Sequence, residues 1–177
     1  MRPLYLYSAA VLLVCGAVAL AAALAARGSP IPGISRTSRR TRQNLALVAA
    51  IAAIVAVTLV PTDGENRIRL IPLKDVSDAL TPPFDRLLFE HAANMLLFVP
   101  LGAALRVRGL GLGEATIAAA LSSAAVEVTQ IAVSGRTTSI DDAFLYTLGA
   151  ILGYSLAAAC SSRVRESRAN TRGDRAH

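Results

Sequence analysis

LLFEHAANMLLFVPLGAALRVRGLGLGEATIAAALSSAAVEVTQIAV, residues 87–133, decides the architecture. Two apolar blocks, 87–105 and 114–133, flank a short turn that holds Arg106, Arg108, Gly109 and Gly111. Each block is close to the length at which a helix rising 1.5 Å per residue crosses a hydrocarbon layer of about 30 Å. In such a layer the backbone must satisfy its own hydrogen bonds, so each block is predicted to be helical. Upstream lie similar blocks at 44–60, closed by Pro61, and at 4–26; downstream lies 141–161.

Of the 177 residues, 54% are hydrophobic and 17% charged. A soluble domain needs a polar outside, and here the apolar residues come in blocks. Composition therefore argues against a soluble catalytic domain and predicts an all-α, polytopic transmembrane helix bundle of about five helices. Three regions follow. Residues 1–43 hold the first span and an Arg-rich loop, 44–161 the main membrane domain, and 162–177 a polar, basic tail. The apolar run from Leu4 to Ala26 exceeds a signal-peptide core of about 7–15 residues, so it is read as a membrane helix. Between the second and third spans, Ile71, Leu73, Val76 and Leu80 fit a short interfacial helix. Cys15 and Cys160 lack metal-ligand spacing and read as small packing residues.

The formal charge is +6. The basic residues flank apolar blocks and no nucleic-acid motif accompanies them, so they read as topology signals and anchors for anionic lipid heads. With the N-terminus outside, segments 27–43, 106–113 and 162–177 are inside and carry twelve Arg, against six basic residues outside. The positive-inside rule thus predicts N-out, C-in, and the protein is expected in the cell's inner (cytoplasmic) membrane.

Polar residues interrupt the last three spans. Glu90, His91 and Asn94 lie on the third; Ser123, Glu127 and Gln130 run along one face of the fourth; Asp141 and Asp142 open the fifth, ahead of Tyr146, Gly149 and Gly153; Arg136 lies in the loop between the last two. Each group is predicted near the outer end of its helix. An ionisable group in a membrane is costly and is usually paired or functional. Glu127, with Arg136 as its natural partner, is the sharpest case. The alternative for each is structural: interhelical hydrogen bonds for the set, headgroup contact for Glu90, a lone interface-side imidazole that needs no function for His91, and capping of the fifth helix for Asp141 or Asp142. Pro100 removes the hydrogen bond to the Leu96 carbonyl and, with Gly102, predicts a bend that would open a cavity beside Glu127.

Asn94-x-x-x-Phe98-x-Pro100-Leu101-Gly102, Ser123-x-x-x-Glu127-x-x-Gln130, Gly135-Arg136, Asp141-Asp142 and Leu148-Gly149-x-x-x-Gly153 occur in an order that resembles the VanZ-like membrane protein family. Arg69-Leu-Ile-Pro72-Leu-Lys74 is similar to a looser segment of that family, and the resemblance covers about 44–160. Tyr146 departs from it, since the family often has Asn there. The family is named for a member linked to resistance to the glycopeptide teicoplanin. Carried over, the resemblance implies a functional core of Asn94, Glu127, Gln130, Arg136 and Asp142.

These residues suggest an outer-leaflet pocket for a lipid-linked or lipid-headgroup substrate, with membrane lipids or a lipid-linked cell-wall precursor as partners. Glu127 and Asp142 are the catalytic candidates: Glu127 as acid or base, Asp142 fixing Arg136 or binding a cation. Asn94, Gln130, Arg136 and Asp141 are the substrate-binding candidates. The sequence names no cofactor and gives no metal-binding motif. A non-enzymatic scaffold is the competing reading; a transporter is disfavoured by the absence of an inverted repeat and by polar groups at one face and not at the midplane.

Overall fold

The computed structural model describes residues 36–58, 67–81, 86–132 and 137–173, with side chains for 40–58, 68–81 (75 and 79 excepted), 91–132 and 138–163. The predicted span 4–26 and Arg136 lie outside the described residues. In order come α1 (Arg36–Thr58), β1 (Arg67–Arg69), α2 (Lys74–Ala79), α3 (Arg86–Val107), α4 (Leu112–Gln130), β2 (Thr137–Ser139) and α5 (Ile140–Gly173). The chain is mostly helical, and the four predicted spans after the first each coincide with a helix. The all-α expectation needs one correction: β1 and β2 form a two-stranded parallel ladder, Arg67 opposite Thr137 and Arg69 opposite Ser139. No hydrophobic alternation announces strands this short.

Two helices outrun their predicted limits. α1 begins at Arg36, because the Arg-rich stretch after Pro30, Pro32 and Gly33 contains no further breaker and Arg is a good helix former. For the same reason α5 continues through the expected polar tail to Gly173. Among the described residues two helices are long and apolar enough to cross a membrane, over Arg40–Thr58 and Ile140–Arg163, and a shorter apolar stretch covers His91–Val107.

α3 is central. Leu97, Phe98, Leu101 and Leu105 are buried against Ala50 and Ile54 of α1, Ala115 and Ala119 of α4, and Tyr146 and Ala150 of α5. Phe98 and Tyr146 stack with ring centroids 4.5 Å apart. The α3–α5 contact is close enough to require glycine. A Cβ on Gly149 would strike the Met95 carbonyl, one on Gly153 the Val99 carbonyl, and one on Gly102 the Ala150 carbonyl. Gly102, expected at a bend, thus serves helix contact, and α3 runs on through Pro100. On α1 and α4 the buried hydrophobic positions are mostly alanine, among them Ala46, Ala50, Ala115 and Ala119, while Val48 and Leu121 point out, 61% and 67% exposed. Cys160, expected to pack, is exposed.

Long-range hydrogen bonds fix the two ends of the bundle. Gln43 Nε2 donates to the Val107 carbonyl (2.8 Å) and the Tyr154 hydroxyl to that of Leu110 (2.9 Å), which joins the start of α1, the end of α3 and the lower part of α5. We call this the turn end. Gln130 Nε2 donates to the Thr58 carbonyl (3.1 Å), joining the far ends of α4 and α1 at the opposite, site end.

Candidate functional site

The site end collects polar side chains from three helices. On α4 the buried positions are Ala115, Ala119, Ser123, Glu127 and Gln130, one face at helical spacing. That face turns polar only over its last turns. Ser123 meets Thr147 of α5, hydroxyl to hydroxyl, at 3.3 Å. Glu127 is 7% exposed, and its Oε2 accepts the backbone N–H of Ser139 at 2.9 Å. A carboxylate on α4 therefore holds the strand that leads into α5.

α5 starts with adjacent acids that have different tasks. Asp142 Oδ1 accepts from Asn94 Nδ2 at 3.1 Å and joins α5 to α3. Asp141 is fully buried and reaches away from its own helix: Oδ1 accepts from the Leu73 N–H (2.6 Å) and Oδ2 from the Val76 N–H (3.3 Å). It supplies acceptors at the start of α2, where Leu73 at φ 62° offers no side-chain cap. A left-handed backbone costs a leucine about 1–2 kcal/mol, which the two charge-assisted hydrogen bonds offset. Capping of α5 was the structural expectation for one of these acids; Asp141 instead serves α2.

Of the six candidate residues, Asn94, Glu127, Gln130, Asp141 and Asp142 all lie at this end, and Arg136 falls outside the described residues. Glu90 is on α3 with its side chain outside them. His91 is notable: both ring nitrogens are buried without a hydrogen-bond partner. Tyr146 packs on Phe98 and is 1% exposed, so an aromatic contact occupies the position where the sequence departs from the resemblance. Among the described residues no three His, Cys, Asp or Glu side chains gather to hold a metal ion.

An open apolar groove of about 250 Å³ lies between α1 and α4, walled by Ile51, Ile54, Val55, Ala125 and Val126 over Leu101. Hydroxyls of Thr58, Ser122 and Thr129 border it, and each donates to a carbonyl of its own helix. The groove thus presents almost no polar partner.

A family model described as VanZ/LLP1 matches residues 35–161. The chain belongs to the VanZ/LLP1 family. The VanZ/LLP1 match opens beside the first residue of α1, closes within α5, and contains every polar residue of the site end. No curated protein and no solved structure matches the chain. Within this VanZ/LLP1 region, the partners that sequence reasoning missed are mainly backbone groups: the N–H of Ser139, Leu73 and Val76, and the carbonyl of Thr58. Such groups carry no residue-type signal, so only the folded backbone reveals them.

Proposed function

We propose that this VanZ/LLP1 protein is a multi-pass protein of the bacterial inner membrane, oriented N-out and C-in. Its site end binds, and in the enzymatic form of the reading modifies, a lipid-linked or lipid-headgroup substrate of the cell envelope. The observation that carries this is the gathering of Asn94, Glu127, Gln130 and Asp142 from three helices at one end of the bundle. Glu127 acts as acid or base, Asn94 and Gln130 orient the head, Asp142 positions its neighbours or binds a cation, and Arg136 holds an anionic group. Asp141 positions α2. The unpartnered nitrogens of His91 favour a ligand, because buried polar groups are rarely left unsatisfied. Family membership supports a link to glycopeptide (teicoplanin) resistance.

The test compares Glu127→Gln with wild type at equal protein level, in a strain whose deletion changes glycopeptide or envelope-stress sensitivity. The amide can still accept from Ser139, so abundance should hold while the phenotype matches the deletion. A wild-type phenotype would rule out the acid–base role. Glu127→Ala should also lose about 1–3 kcal/mol of stability, because it strands the Ser139 N–H.

A second reading has its own support. Asn94, Gln130 and Glu127 each spend a hydrogen bond on another element, as interhelical glue would. In a scaffold, Glu127→Gln leaves function per molecule unchanged.

A further inference from the structure

The segment from β1 through α2 carries an unusual amount of exposed apolar surface. Ile68, Leu70, Ile71, Leu73 and Leu80 are 60%, 71%, 65%, 65% and 59% exposed. These are comparable with Val48 and Leu121, 61% and 67% exposed on the outer faces of the helices. In a protein surrounded by water, so many large apolar side chains in so short a stretch would mark a contact surface.

The segment is also fixed in place. β1 pairs with β2, and Asp141 binds the N–H groups of Leu73 and Val76. Asp141 therefore sets Leu73 level with the first turn of α5. Phe144, 55% exposed, lies three residues further along α5, about 4.5 Å by the helical rise. Lipid that reaches Phe144 thus reaches the level of Leu73 and its neighbours. The local charge is nearly balanced, since Lys74 pairs with Asp78 at 3.1 Å.

We infer that residues 68–80 form an interfacial element that seats its apolar side chains in the outer boundary of the lipid bilayer, with Asp141 as the positioning residue. This rests on the membrane-spanning reading above. The occupant is lipid because the exposed side chains continue the apolar surface of the bundle at the depth where that surface ends. Apolar insertion dominates, so anionic lipid should alter the seating little.

The test uses the full chain with Cys15 and Cys160 replaced by Ser, reconstituted in phosphatidylethanolamine vesicles with and without phosphatidylglycerol. An environment-sensitive fluorophore is placed at Ile71→Cys, and at Leu148→Cys as the mid-helix reference. Nitroxide near the lipid headgroup should quench the Ile71 site several-fold more strongly than aqueous iodide does, in both lipid mixtures. Asp141→Ala should reverse that preference at Ile71 and leave the Leu148 reference unchanged. Asp141→Asn should restore it in part, and it replaces the Ala variant if that one does not accumulate. Iodide-dominated quenching at Ile71, with the reference still in lipid, overturns the inference alone. Cross-linking between copies through Ile71→Cys, with both quenchers silent, also overturns it in favour of a second copy. Iodide access at the Leu148 reference brings down the membrane-spanning reading as well.

Discussion

At the scale of single residues, the site end holds carboxylates by giving them backbone and amide donors. Glu127 takes the Ser139 N–H, Asp141 those of Leu73 and Val76, and Asp142 the Asn94 amide. Of these bonds the last joins two side chains, and that pair is open to a double-mutant cycle. Asn94→Ala, Asp142→Ala and the double variant should show a coupling of about 0.5–1.5 kcal/mol in reversible unfolding in detergent or bicelles. A coupling indistinguishable from zero would remove the α3–α5 polar clasp. The sequence showed which residues were costly to place in a membrane. It did not show that adjacent acids would serve different helices, because Asp141 and Asp142 point in different directions from consecutive positions on one turn.

At the scale of elements, the seam between α3 and α5 is the decisive contact. Gly149-x-x-x-Gly153 was legible as a small-residue face, but the pattern is common in Ala-rich helices and named no partner. The structure supplies it: the carbonyls of Met95 and Val99 lie where a Cβ would go, and Gly102 mirrors the arrangement from α3. Gly149→Leu must therefore separate two backbones. We expect a loss well beyond the usual overpacking cost of about 1–3 kcal/mol, read as failure to accumulate or a collapsed melting temperature. Gly113, which has open space around its position, is the control: Gly113→Ala should be nearly neutral. Strands β1 and β2 were illegible because three residues are too few for a period to show.

For the whole molecule, the two ends differ in chemistry. Among the described side chains the turn end carries Arg40, Arg42, Arg106 and Arg108, with Arg106 lying over the Tyr154 ring at 5.6 Å. Its acid, Glu114, is engaged with the Gly111 N–H at 2.9 Å. The carboxylates Glu127, Asp141 and Asp142 sit at the other end. The proposed N-out, C-in orientation can be tested at both ends. A fluorescent protein fused after His177 should fold and fluoresce in the cytoplasm. A periplasm-dependent phosphatase inserted after Ser77 should be active. Neutralising Arg36, Arg39, Arg40 and Arg42 together should give a mixed orientation in protease-protection assays; the opposite pattern for the two reporters would reverse the topology.

By itself the sequence determined the helical character, the positions of the five described helices and the residues that are costly in an apolar setting. Those follow from block length, breakers and charge, which are local properties of the chain. Only the tertiary structure decided which carboxylate meets which backbone group, which helix approaches the glycines, and that α2 is clamped by Asp141. Those pairings join residues as many as 68 positions apart. They depend on how helices cross, and no local signal encodes a crossing.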